Sequence, residues 1–293
     1  MRNIDDDTIT QAVIARHQQA PDPRVREVMT SLVQHLHAFA REVRLTEAEW
    51  FAGIQFLTDT GHMCTGERQE FIMLSDLLGL SMLVTAMNHR HPKGCTEATV
   101  LGPFHVDGAP ACELGADVAN GAPGEPCWVR GHVRGLRGEP VPGAEMHVWQ
   151  ADAEGLYDVQ RAGLGEHRAR AVLHTAADGA YHFKTIVACE YPVPTDGPGG
   201  RMLRALGRHA WRPAHLHFMI SAPGYQRLIT HVFRNGDRYL DSDAVFGVRN
   251  SLVADWVRHD PGVTPDGGTS AVPFYTLDFD FVLDTARQEA TAG

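Results

Sequence analysis

Two stretches, Cys127-Trp-Val-Arg-Gly-His-Val133 and Ala144-Glu-Met-His-Val-Trp149, decide the fold of this chain. In both of them apolar and polar residues alternate, which is the period-two pattern of a half-buried β-strand. Turn-forming residues punctuate this part of the chain, at Gly138-Glu-Pro, Pro142-Gly and Asp178-Gly. Short strands with frequent turns predict a β-sandwich.

The first third of the chain has helical periodicity instead. Its second helical segment opens with Thr46 and Glu49, which form a capping box. A third helix, rich in Leu and Met, is predicted from about Glu67 to Met87, and it ends at the loop His89-Arg-His-Pro-Lys-Gly94. The periodic apolar residues of the first two segments are Val25, Val28, Met29, Leu32, Leu36 and Phe39, and then Trp50, Ile54 and Leu57.

The predicted fold class is therefore mainly β with an α-helical N-terminal part. We place the boundary near residue 98, so that residues 1–98 form a helical region and residues 99–293 form the β-sandwich domain. The segment Gly197-Pro-Gly-Gly200 is predicted to be a long loop inside the second domain rather than a linker.

Composition excludes several classes of protein. A formal net charge of −10, without a basic run, disfavours broad nucleic-acid binding, which requires clustered Lys and Arg. The chain has neither an apolar stretch of about 18 residues nor an N-terminal leader pattern, so we expect a cytoplasmic protein without a membrane span. Five widely spaced cysteines, with no C-x-x-C pair, predict reduced thiols in or near the core.

Among 17 histidines, spacing selects one pair. His215 and His217 lie in Ala214-His-Leu-His-Phe-Met-Ile220, which has a strand pattern, and residues two apart in a strand project from the same face. His35 and His37 have the same spacing within a helical pattern, where they point to different faces. His89 and His91 fall in the loop before Lys93, where no direction is defined.

Two tyrosines complete a candidate metal site. Tyr157 follows Asp152-Ala-Glu-Gly-Leu156, and Tyr191 opens Tyr-Pro-Val-Pro-Thr-Asp-Gly-Pro198, both in loop-like contexts where a side chain can point into a site. A phenol with a pKa near ~10 is a poor ligand for divalent ions, but a trivalent hard cation can displace its proton. Two tyrosines and two histidines therefore favour iron(III).

Two alternatives from other classes remain open on these residues. A β-sandwich binding module could carry the histidine pair incidentally. A zinc-dependent hydrolase could use His215 and His217, although no cluster of carboxylates accompanies them to supply a further ligand and a general base.

The chain resembles the intradiol ring-cleavage dioxygenases over nearly its whole length. Within that family it is most similar to the hydroxyquinol 1,2-dioxygenases, through the segment from Thr230 to Val248. The other matching stretches are Thr99-Val-Leu-Gly-Pro-Phe-His105, Val148-Trp-Gln-Ala-Asp-Ala-Glu-Gly-Leu-Tyr-Asp158, Tyr191-Pro-Val-Pro-Thr-Asp-Gly-Pro198, Gly207-Arg-His-Ala-Trp-Arg-Pro-Ala-His-Leu-His-Phe218 and Ser221-Ala-Pro-Gly-Tyr225.

This resemblance implies one iron(III) per subunit, held by Tyr157, Tyr191, His215, His217 and a hydroxide. It implies that Tyr191 leaves the iron when the diol binds, and that Arg212 stabilises negative charge on the ring. The implied pocket walls are Asp76, Val100, Leu101, Gly102, Pro103, Phe104, Val193 and Pro194.

The same resemblance implies a substrate and partners. The expected substrate is hydroxyquinol (benzene-1,2,4-triol), cleaved with O2 between carbons 1 and 2, with catechol or a substituted catechol as the alternative. The N-terminal helices are expected to form a homodimer interface, with a phospholipid as a possible ligand there.

Overall fold

The structure of the protein, a computed structural model, describes residues 3–66, 68–161, 163–164 and 166–286. The chain divides into two compact units, residues 1–59 and residues 60–293. The helices are α1 (Ile9–His17), α2 (Pro23–Glu42), α3 (Glu47–His62), α4 (Glu70–Leu77), α5 (Leu80–Asn88) and α6 (Pro198–Ala205).

The strands are β1 (Pro126–Gly135), β2 (Glu145–Trp149), β3 (Arg170–His174), β4 (Ala180–Ile186), β5 (Tyr191–Pro192), β6 (Trp211–Arg212), β7 (His215–Ser221), β8 (Leu228–Arg234), β9 (Val253–Ala254), β10 (Trp256–His259), β11 (Gly262–Val263), β12 (Thr269–Ser270), β13 (Phe274–Asp278) and β14 (Phe281–Leu283).

The first unit is helical, as predicted. The capping box is confirmed, because the Thr46 amide donates to the Glu49 carboxylate at 2.9 Å and the Glu49 amide donates to the Thr46 hydroxyl at 3.3 Å. Helix α2 begins after Asp22, whose carboxylate accepts from the first free amides of the helix. Helix α1 was not identified from the sequence. The periodic apolar side chains of α2 are all exposed.

The prediction of one helix from Glu67 to Met87 is wrong in its continuity. Glu67 lies outside the described residues, and α4 and α5 are separated by Gly79, which has a φ of 74°. This left-handed conformation suits glycine and ends the first helix, and the two helices meet at a bend of 78°. No single described helix is long and apolar enough to cross a membrane. The bent pair α4–α5 reaches that length and apolar composition only when its two helices are taken together.

Within the described residues, two five-stranded sheets form the β-sandwich. One has the order β3-β2-β7-β8-β9, and in the other β10-β13-β1-β14 form the path while β4 also pairs with β1. Apolar residues of both sheets meet in one buried cluster, to which Val129 of β1, Met146 of β2 and Phe218 of β7 belong. The predicted strands around Val129, Val148 and Phe218 and the predicted fold class are confirmed.

Strand β7 positions the site. Leu216, Phe218 and Ile220 join the sandwich core, so the alternation of a strand turns His215 and His217 to the opposite face of the sheet. The short pair β5–β6 brings Tyr191 directly opposite Arg212.

The predicted loop at residues 197–200 is a further correction, because α6 begins at Pro198. Proline is well placed in the first turn of a helix, since it lacks only an amide that would have no intrahelical acceptor. The glycines that follow are buried by close packing. A Cβ on Gly199 would lie 2.5 Å from Met73 Cε, so the end of that side chain would have to move. A Cβ on Gly200 would lie 2.2 Å from the Thr195 carbonyl oxygen, so glycine is needed there for contact rather than for flexibility.

Candidate metal centre

The two histidines of β7 converge on one point. Both side chains are buried, and their Nε2 atoms lie 3.1 Å apart. His215 Nδ1 lies 2.6 Å from the Pro213 carbonyl, which can only accept, so the neutral ring carries its proton on Nδ1 and a lone pair on Nε2. The His217 ring is held by stacking on the Trp149 ring, with ring centroids 4.6 Å apart and 17° between the ring planes.

The two tyrosines bring their oxygens to the same point. The Tyr157 hydroxyl lies 2.9 Å from His217 Nε2 and 3.2 Å from the Tyr191 hydroxyl. Gly155, with a φ of 76°, allows the turn before Tyr157, and a Cβ there would lie 3.0 Å from Tyr191 Cβ. The structure therefore brings together the four side chains that the sequence and the resemblance selected.

Burial sets the protonation of this cluster. Desolvation, together with the charge of Arg212, lowers the pKa of His215 to about 3. Desolvation and the neighbouring His231 and His215 also depress the pKa of His217. Burial and the proximity of Tyr191 raise the pKa of the Tyr157 phenol. The imidazoles are therefore neutral, and each can offer a lone pair to a metal ion. The Tyr157 phenol keeps its proton unless a strong cation displaces it.

His231 was not selected from the sequence, although it lies in the same cluster. It stands opposite His217 in the β7–β8 pair, with ring centroids 4.1 Å apart, and the ligand atoms of His215, His217 and His231 lie within 4.8 Å of one another. Its Nδ1 lies 3.1 Å from the Thr99 hydroxyl, while its Nε2 has no hydrogen-bond partner among the described residues. The β-branched and aromatic residues in Thr230-His-Val-Phe233, which indicate a strand, were the available signal.

Arg212 reaches the cluster from β6. Its Nη1 lies 3.2 Å from His215 Nε2 and 3.5 Å from the Tyr191 hydroxyl. Nε and Nη2 donate to Asp243 at 3.1 and 3.3 Å, and both side chains of this ion pair are buried. Burial opposes charge on Asp243, but Arg212 outweighs it and the pKa of the carboxyl is lowered. Asp243 was also missed, because no local pattern distinguishes it from Asp237 or Asp241.

The predicted wall segment at 100–104 lies against the cluster. Phe104 stacks on Tyr157 with ring centroids 4.4 Å apart, and Val100 is buried. Gly102 has a φ of 76°, and a Cβ on it would lie 3.3 Å from His217 Cε1. Leu101 is exposed, and Pro103 is half-buried.

The remaining wall residues lie on other elements. Asp76 is buried on α4, and burial raises the pKa of its carboxyl against the opposing influence of Ser81 and Arg212. Val193 packs in an apolar cluster with Leu77 and Val245, and Pro194 is half-buried beside it in the chain. Asp76 thus stands between apolar residues of α4 and within electrostatic reach of Arg212.

The class of protein follows from this fold and site together with two family matches. Residues 100–285 match the family described as "Dioxygenase", and residues 22–96 match "Catechol dioxygenase N terminus". The chain belongs to the intradiol ring-cleavage dioxygenases. This membership excludes both the binding module and the zinc hydrolase.

Individual relatives are close over their full length. The chain is 62% identical to the 6-chlorohydroxyquinol 1,2-dioxygenase of Cupriavidus pinatubonensis, over 97% of this chain and 99% of the relative. It is 51% identical to the hydroxyquinol 1,2-dioxygenase of Nocardioides simplex, over 95% of each. The crystal structure of the hydroxyquinol 1,2-dioxygenase from Pseudomonas putida DLL-E4 superposes with a TM-score of 0.88 at 45% identity, covering 96% of this chain and 99% of that one.

Proposed function

We propose that this intradiol dioxygenase is an iron(III) enzyme that cleaves hydroxyquinol between carbons 1 and 2. Both atoms of O2 enter the product, 3-hydroxy-cis,cis-muconate, which tautomerises to maleylacetate. The observation that carries the proposal is the meeting of two phenol oxygens and two neutral imidazole nitrogens at separations of 2.9 to 3.2 Å beside a buried arginine. The names of the relatives support the choice of a triol.

The ligand set that we propose is Tyr157, Tyr191, His215 and His217, with one iron(III) per subunit. Separations of about 3 Å between donors suit a shared cation with bonds of roughly 2.0–2.1 Å. Phenolates are hard donors that favour a trivalent ion over zinc. When bound, the iron supplies Lewis-acid activation of the diol.

Tyr191 is proposed as the tyrosine that takes a substrate proton. Its hydroxyl is the one that lies 3.5 Å from Arg212 Nη1, so the Tyr191 oxygen keeps a hydrogen-bond donor when it is no longer a metal ligand. Tyr157 is held instead between His217 and Phe104 and is fully buried, which suits a permanent ligand. We expect Tyr191→Phe to retain some iron but to bind the diol without normal deprotonation. Unchanged turnover and an unchanged pH profile in this variant would refute the role.

Arg212 and Asp76 are proposed to contact the substrate. A guanidinium with one nitrogen facing the site can stabilise negative charge that develops on the ring. Asp76 is the carboxyl among the proposed wall residues, and a carboxyl group can hydrogen bond a third hydroxyl group in either protonation state. A site built to hydrogen bond such a group discriminates against substrates that lack it, by roughly 10⁴-fold at the upper end.

An oxygen electrode tests the substrate assignment. We expect kcat/KM to be higher for hydroxyquinol than for catechol, and 6-chlorohydroxyquinol serves as a third substrate. Asp76→Ala should reduce the preference for the triol because the partner of its third hydroxyl is lost. Faster oxidation of catechol by the unmodified protein would instead favour the catechol or substituted-catechol alternative.

We further propose a domain boundary near residue 98, with residues 1–98 as a dimerisation region and residues 99–293 as the catalytic domain. The end of one family match at residue 96 and the start of the next at residue 100 support this division. The exposed apolar side chains of α2 support a homodimer interface there, with a phospholipid as a candidate ligand. A cytoplasmic location stays a prediction.

Light scattering of the purified protein tests the dimer. Replacing Leu32 and Leu36 by Glu should yield monomers, because two charges cannot be buried in an apolar interface. A monomeric unmodified protein would contradict the proposal. Solvent extraction followed by mass spectrometry tests for the phospholipid separately.

A further inference from the structure

The guanidinium of Arg212 divides its nitrogens between two partners. Nε and Nη2 are both taken by Asp243, at 3.1 and 3.3 Å. Only Nη1 is directed at the metal centre, towards Tyr191 and His215. Because a guanidinium is planar, two fixed nitrogens determine where the third one lies.

Two backbone amides hold the carboxylate of Asp243 in addition to Arg212. One of its oxygens also accepts from the Val245 amide at 3.3 Å, and the other accepts from the Gly247 amide at 2.9 Å. Each oxygen thus joins the guanidinium to a backbone amide. The side chain is 2% exposed, so water does not compete for these bonds.

The backbone after Asp243 closes over the ion pair. A Cβ on Gly247 would lie 3.1 Å from both Arg212 Nη2 and Asp243 Oδ2, so a larger residue would press on the pair. Phe246 has a φ of 60°, a left-handed conformation that is uncommon for a bulky residue. Strain of this kind persists only where the surrounding contacts over-determine the backbone.

We propose that Asp243 is a positioning residue for ring cleavage, which fixes the plane of Arg212 so that its Nη1 faces the substrate ring. This inference rests on the proposed contact between Arg212 and substrate. It predicts that loss of Asp243 lowers turnover through Arg212 alone, while the iron ligands remain in place.

A purely structural role would have a different signature. A buried ion pair could serve only to hold residues 243–247, and its loss would then damage the protein whether or not Arg212 is present. A double-mutant cycle separates these cases, because residues that act through one another are not additive.

The test uses the iron-loaded protein and hydroxyquinol. Asp243→Asn should lower kcat by about 10²-fold, comparable with the loss of one preorganised charge-stabilising donor. Iron content, visible absorption and KM should change little, and Asp243→Glu should restore part of the rate because it retains the charge. In an Arg212→Ala background, Asp243→Asn should have almost no further effect on kcat.

Asp152→Asn is the matched control. Asp152 is also a buried carboxylate that binds a guanidinium, that of Arg161, and accepts from two backbone amides, those of Glu154 and Leu156. Arg161 makes no hydrogen bond to the tyrosines or histidines of the centre. Any fractional loss of kcat caused by Asp152→Asn should therefore be the same with and without Arg212→Ala.

Two results would overturn the inference. One is unchanged kcat in Asp243→Asn, and the other is the full loss persisting when Arg212 is already alanine. If Asp243→Asn does not fold, the same cycle with Asp243→Glu decides between the two outcomes. Failure of the proposed function is seen separately, as an absence of oxygen uptake with any diol by the unmodified protein.

Discussion

At the scale of single residues, the site depends on backbone positions as much as on ligands. Gly102 lies against the edge of the His217 ring, and its left-handed φ already excludes most side chains. His217 has no hydrogen bond from Nδ1 among the described residues, so packing from Trp149 and the 100–104 segment orients the ring. The position of this imidazole should be sensitive to its neighbours.

Gly102→Ala should therefore lower the iron content of the protein. A methyl group 3.3 Å from Cε1 is closer than ordinary van der Waals contact, so the His217 ring has to shift relative to the other ligands. Gly108→Ala is a matched control, because Gly108 has a φ of 78° and an added Cβ would meet nothing within 4 Å. Iron per subunit, measured by atomic absorption, should fall only in the first variant. Equal iron content in both would contradict this account of His217.

Buried neutral histidines also make stability depend on pH. His215 has a folded pKa of about 3, well below the ~6.5 of an unfolded histidine. Between these values the unfolded state binds a proton that the folded state does not, so stability falls as the pH is lowered. The slope from one such group approaches about 1.4 kcal/mol per pH unit.

Urea unfolding of the metal-free protein at pH 5.5 and 4.5 measures this effect. The free energy of unfolding of the unmodified protein should fall more steeply between these values than that of His215→Gln, which cannot be protonated. The difference in slope should be close to the contribution of one histidine. Parallel slopes would show that His215 is not buried in the neutral form.

At the scale of elements, strands were easier to predict than helix boundaries. Alternation in β1, β2 and β7 is a local signal, and it survives because one face of each strand packs in the sandwich core. The break at Gly79 could not be read in the same way, because a single glycine among Leu and Met is tolerated within many helices. The glycines at the start of α6 reflect close packing against Met73, which is a long-range contact.

Distant pairings also explain what the sequence left out of the site. Tyr191 meets Arg212 through the register of β5 and β6, and Arg212 meets Asp243 across a further loop. The number of residues between these partners is not set by any local structure, so no sequence pattern predicts the pairings. The histidine pair could be found because its spacing is that of a strand, whereas the tyrosines needed the family resemblance to support them.

A salt bridge ties α4 to α6, next to the predicted wall residues. Arg68 donates to Asp196 at 2.8 Å and to the buried Glu70 at 2.9 Å, and Glu70 accepts from the Gly199 amide at 3.2 Å. Asp196 is 65% exposed, so its share of the interaction is screened by water. Glu70 depends on Arg68 to compensate its charge.

Arg68→Ala should accordingly destabilise the protein more than Asp196→Asn. The first change leaves a buried carboxylate without its cation, which costs about 3 kcal/mol or more, whereas the second should cost less than about 1 kcal/mol. Urea unfolding at neutral pH compares them. Equal losses would mean that the exposed half of the bridge carries the stability.

At the scale of the whole molecule, the sheet that contains β7 uses its two faces for different purposes. The inner faces of the two sheets form the apolar core, while the outer face of the sheet that contains β7 carries the histidines. The short β5–β6 pair supplies Tyr191 and Arg212, and the segment after β2 supplies Tyr157. The fold thus places polar chemistry outside its core, where pocket walls can vary without disturbing the sandwich.

The central claim is that Tyr157, Tyr191, His215 and His217 hold iron(III). It is tested most directly by the iron content and the visible spectrum of the purified protein, compared with Tyr157→Phe and with Tyr181→Phe. Tyr181 is an equally buried tyrosine whose hydroxyl bonds the Phe279 carbonyl, away from the site. We predict a red to burgundy protein with one iron per subunit, which Tyr181→Phe retains and Tyr157→Phe loses. A colourless unmodified protein, or full colour in Tyr157→Phe, would contradict the account.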